Sequence, residues 1–215
     1  MIFKTTLATR LTVWILASTT FLSLIGHFYG LWTMRMFACL ALPPAAAALT
    51  FIACKARGEP RDVVSPYTWI VEGALGGVFA AIIYDLFRVP FVLAGYPLFA
   101  VFPKFGQMLL NADVSDTGAA VQAAGWTYHF ANGASLGIMY LAMVRRASGH
   151  WLLWGAIAWA SMVEIILLLT PYYTYFKLKL PFGIFIALTM SAHIVFGAAL
   201  GAWCWLRLRH MKHAV

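Results

Sequence analysis

Charge is scarce in this chain. Asp, Glu, Lys and Arg make up 10% of its 215 residues, where a soluble domain carries roughly 25%. Acidic residues are scarcer still, seven against fifteen Lys and Arg. So few charges cannot cover a water-facing globule, and a soluble domain is excluded. Cysteine is rare too. Cys39, Cys54 and Cys204 form no C-x-x-C pair, so neither a disulfide framework nor a cysteine zinc site is expected. Each falls within or beside an apolar run and reads as a small packing residue. There is no P-loop, G-x-G-x-x-G, H-E-x-x-H or G-x-S-x-G motif, so the commonest nucleotide, zincin and serine-hydrolase signatures are missing. The run Gly73-Ala-Leu-Gly-Gly77 lies mid-span and reads as helix packing, not as a phosphate cradle.

Apolar sequence is abundant. Hydrophobic residues reach 63%, in blocks long enough to cross a bilayer, which takes about 20 residues of helix. The reading is an all-α polytopic bundle forming a single domain over residues 1–215. Six transmembrane helices are predicted at about 11–29, 36–54, 67–87, 121–144, 151–170 and 182–206. Pro43 and Pro44 are expected to interrupt and kink the second. Lys4 and Arg10 before an apolar stretch resemble a signal peptide, but the stretch reads better as the first span. Between spans three and four, Pro90, Gly95, Pro97, Pro103 and Gly106 argue against a seventh straight helix. An interfacial or re-entrant segment is expected there, and residues 172–181 read as an aromatic and basic interface loop.

The formal charge of +8 does not point to nucleic acid, because the basic residues sit in short loops between apolar blocks. They act as orientation signals and lipid-headgroup anchors. With the N-terminus inside, the inner segments hold Lys4, Arg10, Lys55, Arg57, Arg61, Arg145, Arg146, Arg207, Arg209 and Lys212. The outer segments hold Arg35, Arg88, Lys104, Lys177 and Lys179. Ten against five favours both termini in the cytoplasm. Trp151, Trp154, Trp203 and Trp205 near the inner ends, with Trp32 and Trp126 near the outer ends, suit interfacial belts.

Two spans share a pattern. The fourth reads His129-x3-Gly133-x3-Gly137 and the sixth His193-x3-Gly197-x3-Gly201, each followed by Arg sixteen residues after the His. Each His then lies ~24 Å from its inner basic anchor, at 1.5 Å per residue. Residues four apart share a helix face, so each His points the same way as a glycine pair that allows close helix approach. The third span carries Gly73, Gly77, Ala81 and Asp85, each four apart, with Arg88 one turn beyond the Asp. The fifth carries Glu164 at a depth like that of the histidines, with Ala160, Ser161 and then the bulkier Ile157 inward of it. The expected site is one cluster of His129, His193, Glu164 and Asp85, supported by Tyr84, Tyr128, Asn132, Tyr172 and Arg88. Glu72 belongs to a different face, nearer the inner surface. Intramembrane ionisable groups are costly and face the bundle interior.

Three chemistries fit those residue types. Two imidazoles and carboxylates suit a divalent metal. Haem b between His129 and His193 ranks below it, since glycine faces favour contact over separation. A proton or solute path is the third, and transport by so small a bundle calls for a homo-oligomer. A purely structural subunit of a membrane complex is the alternative without chemistry, because polar side chains also join helices.

The runs Tyr128-His129-Phe-Ala-Asn132-Gly133 and Tyr84-Asp85-Leu-Phe-Arg88-Val-Pro90, with His193 to Gly201, resemble bacterial inner-membrane proteins of unknown function. There is a fainter likeness to the YagU-like inner-membrane proteins. The resemblance covers spans three to six, and implies a multi-pass home in the bacterial inner membrane without implying a reaction.

Overall fold

The computed structural model describes residues 6–58, 64–144, 149–177 and 179–209. Lys4, Arg61, Arg145, Arg146 and Lys212, five of the ten inner basic residues, lie outside them. Among the described residues, eight α-helices follow one another: α1 Leu7–Phe28, α2 Met34–Ala56, α3 Pro66–Leu93, α4 Val101–Leu110, α5 Ala119–Met143, α6 Gly149–Leu168, α7 Tyr172–Phe176 and α8 Phe182–Leu208. A 3-10 turn, Leu98–Ala100, leads into α4. No strand occurs among the described residues.

Among the described residues, five helices are long and apolar enough to cross a membrane: Leu7–Phe28, Met34–Ala56, Pro66–Leu93, His150–Leu168 and Phe182–Leu208. Large apolar side chains such as Leu40, Phe51, Leu86 and Ile165 stand exposed on them, as contact with lipid requires. The 25-residue α5 has the length but not the hydropathy, since it carries Gln122, Thr127, His129, Asn132 and Ser135. Its neighbours compensate. It packs against α1, α3 and α4, and every residue from Ser135 to Ala142 is buried.

Glycine sets the closest crossings. A Cβ on Gly77 would overlap the Gly133 carbonyl, and one on Gly137 the Gly73 carbonyl, so α3 and α5 meet backbone to backbone. A Cβ on Gly197 would stand 2.6 Å from Ile157 Cα, and one on Gly201 2.7 Å from Leu153 Cα, which joins α8 to α6. The six glycines expected to pack helices all do so. Further helix contacts run between α3 and α8, α1 and α2, and α2 and α3.

Several expected breakers do not end their helices. Pro43 and Pro44 lie inside a continuous α2. Pro90 lies inside α3, which runs on to Leu93. Each interior proline removes one backbone donor and crowds the carbonyl four residues back, but neither helix stops there. Gly106 lies within α4, where a Cβ would overlap the Val121 carbonyl, and Gly125 of α5 meets the Phe102 carbonyl in the same way. The segment after α3 is thus a short apolar helix laid on α5. Within residues 172–181, α7 buries Tyr172 and Phe176, and Leu180 is buried beyond it. Arg88 is not an outer-surface charge. It is 4% exposed and belongs to the interior, because α3 continues past it.

Candidate functional site

The glycine crossings set a register that repeats. In α3 and α5, Gly77 meets Gly133 and Gly73 meets Gly137; in α6 and α8, Ala156 meets Gly197 and Leu152 meets Gly201. Counting eight residues on from Gly77 reaches Asp85, and eight on from Ala156 reaches Glu164. Counting four back from Gly133 and Gly197 reaches His129 and His193. The helices therefore deliver one carboxylate and one imidazole to the same place in each hairpin. His129 Nε2 stands 2.9 Å from Asp85 Oδ2, and His193 Nδ1 stands 3.1 Å from Glu164 Oε2. Leu152, Ala156, Ala160 and Glu164, four apart, are buried on α6, with Trp159 and Val163 beside them; of the residues expected inward of Glu164, Ala160 lies on this stripe, whereas Ser161 and Ile157 are only half-buried.

The expected single cluster is thus two pairs. Tyr84 adjoins both histidines, its ring centroid 5.9 Å from that of His129 and 5.3 Å from that of His193. Both histidines line one cavity of about 80 Å³, together with Tyr84, Arg88, Tyr128, Asn132 and Tyr172. Asp85 and Glu164 do not line it but stand behind their imidazoles. The five supporting residues chosen from the sequence all reach this cavity. Its remaining walls come from residues that spacing did not single out, among them Phe102 and Phe105 of α4, Leu167 of α6, and Phe185 and Thr189 of α8. No local signal in α4 announces that it covers a site; the Gly106–Gly125 crossing brings it there.

The two pairs differ in electrostatics. Asp85 is held on both oxygens, by His129 on Oδ2 and by Arg88 Nη1, 3.4 Å from Oδ1. Arg88 also donates from Nη2 to the Leu98 carbonyl, and its guanidinium lies over the rings of Tyr84, Phe99 and Phe102 at 4.9, 5.1 and 5.5 Å. A salt bridge of this kind needs close partners to offset desolvation, and Arg88 has them. In the second hairpin the residue equivalent to Arg88, three after the carboxylate, is Leu167. Among the described residues no Lys or Arg forms an ion pair with Glu164. Glu164 is 1% exposed, and neither of its oxygens has a hydrogen-bond partner among the described residues.

The His193 tautomer follows from its contacts. Its Nδ1 lies 2.9 Å from the Thr189 carbonyl. A carbonyl only accepts, so Nδ1 carries the hydrogen. The same N–H is 3.1 Å from Glu164 Oε2, but its geometry favours the carbonyl. Nε2 is left with its lone pair, on the ring edge away from Glu164. Beside this, Asn132 Oδ1 is buried without a hydrogen-bond partner among the described residues. Tyr128 donates to the Thr20 carbonyl at 2.8 Å. Burial pushes the Tyr172 phenol far above its usual range, so Tyr172 presents a neutral hydroxyl.

Among the described residues, no three His, Cys, Asp or Glu side chains converge as a metal shell would require. The Tyr84 ring lies against both imidazoles that haem b would bridge. No family model, curated protein or solved structure matches the chain.

Proposed function

We propose that the chain is a six-span protein of the bacterial inner membrane, with both termini in the cytoplasm, that handles protons at the Glu164–His193 pair. The observation that carries this reading is the asymmetry between the two hairpins. Asp85 has a permanent counter-charge in Arg88; among the described residues Glu164 is paired with an imidazole alone, which is cationic or neutral according to its protons. A lone buried carboxylate is costly. The pair lowers that cost by holding a proton, either on the carboxyl or on His193 Nε2, where it makes an imidazolium beside the carboxylate. Imidazole exchanges protons readily near neutral pH.

Each group has a role. Thr189 fixes the His193 ring, Nε2 exchanges a proton with the cavity, and Glu164 stabilises the cation that results. Tyr84 and Asn132 supply hydroxyl and amide groups from which a short water chain toward His129 can be built. Asp85, locked by Arg88, orients His129. The six-span reading takes α5 as a span whose polar face is covered by α1, α3 and α4. The bacterial inner membrane rests on the sequence resemblance.

The test is proton flux into liposomes containing the purified protein, driven by a pH gradient and read with an entrapped dye. Glu164→Gln removes the charge and keeps the volume, and should abolish the protein-dependent flux. A variant as active as wild type rules the reading out.

A further inference from the structure

A second pocket, of about 490 Å³, opens at the end of the bundle where α1 finishes and α2 begins. Lys104, Lys177, His27, Tyr175, Gln107 and Asn111 are among its lining residues. No Asp or Glu lines it, and neither lysine forms an ion pair among the described residues. The nearby loop carboxylates, Asp113 and Asp116, are turned to their own loop, accepting from Ser115 and from the Gly118 backbone. Two lysines therefore line one opening that no carboxylate lines among the described residues.

The polar groups around them are set by the fold. The Met34 backbone N–H donates to His27 Nδ1 at 3.3 Å, so the hydrogen of the neutral ring sits on Nε2. That Nε2–H donates to the Tyr175 hydroxyl oxygen at 2.8 Å. The Tyr175 hydrogen is then free to donate elsewhere. Gln107 is anchored through Nε2 to the Val114 and Asp116 carbonyls, which keeps the 111–118 loop on the rim. Lys177 and Asn111 have φ of 47° and 52°, and among the described residues they are the only non-glycine residues with positive φ. Asn tolerates this region at the end of a helix. Lys does so less readily, and residues held there occur often at functional sites. Met108, Val114 and Phe176 add apolar surface.

We propose that this pocket binds a phosphate-bearing anion, with Lys104 and Lys177 as charge partners and Tyr175 as hydroxyl donor. The ligand is either an anionic phospholipid headgroup or free phosphate. The site is independent of the proton pair.

The experiment is binding to the full chain in neutral detergent, followed by native mass spectrometry with phosphatidylglycerol and by thermal stabilisation with inorganic phosphate. The expected result is one tightly held anion. Lys104→Gln with Lys177→Asn, the latter chosen because Asn accepts positive φ, should weaken it about tenfold or more, and Tyr175→Phe about fivefold. Lys104→Arg should retain binding, which separates loss of charge from misfolding. Retention of lipid with no response to phosphate assigns a headgroup. Stabilisation by phosphate, with displacement of lipid, assigns the free anion. Equal binding of both probes to wild type and the folded double variant overturns the proposal.

Discussion

Asp85 and Glu164 occupy equivalent positions in two hairpins, and the difference between them lies three residues further on, Arg88 against Leu167. This contrast sets opposite expectations for neutral isosteres. Asp85→Asn leaves the buried Arg88 guanidinium without its carboxylate, and breaking such a pair costs about 3 kcal/mol. Thermal unfolding in detergent should show a clear fall in Tm. Glu164→Gln removes a carboxylate that has no fixed cation, so Tm should stay level or rise. The reverse order would mean that Glu164, not Asp85, is the structural anchor. Leu167→Arg would install the cation missing from the second hairpin. It should silence proton flux while Glu164 remains in place, which a purely structural Glu164 would not show.

At the level of elements, the H-x3-G-x3-G pattern gave the correct faces of α5 and α8, because small residues at a period of four leave little choice of packing direction. It also located Asp85 on the α3 face. The partner face on α6 was harder to read. There the positions matching Gly73 and Gly77 are Leu152 and Ala156, and a leucine hides the repeat. The division into two pairs was not legible either, since spacing gives depth and face but not which helix lies opposite. The role of α4 depends on Gly106 and Gly125; Gly125 continues the four-residue period of His129, Gly133 and Gly137, but Gly106 stands in no such repeat. The glycine register is testable. Gly137→Leu and Gly197→Leu drive side chains into the backbone of α3 and α6, and overpacking typically costs about 1–3 kcal/mol. Gly183, with nothing near an added Cβ, should accept Ala without loss. At the other end of α8, Arg207 makes a bidentate pair with Glu72 at 2.9 and 3.1 Å. The arginine side chain is 53% exposed but Glu72 is buried at 7%, so Arg207→Gln leaves a buried carboxylate without its cation and should lower Tm by more than the loss of a fully exposed pair would.

For the whole molecule, the five apolar helices were legible from composition, and the sixth span rests on α5. Its polar residues lower its hydropathy, yet two of them, His129 and Asn132, line the cavity. The reading makes a parity prediction. Six spans put both termini on one side of the membrane, whereas five put them on opposite sides. Reporter fusions at the two ends should report the same, cytoplasmic compartment, and opposite compartments would remove α5 as a span. The pairing of hairpins gives the molecule two similar His–carboxylate devices, one clamped by arginine and one without it. Only the second is expected to exchange its proton. The most direct measurement is pH-gradient-driven proton flux in liposomes, comparing wild type with Glu164→Gln at matched protein incorporation. The account predicts flux in wild type and none above empty liposomes in the variant. Equal flux from both, or none from wild type, would contradict it.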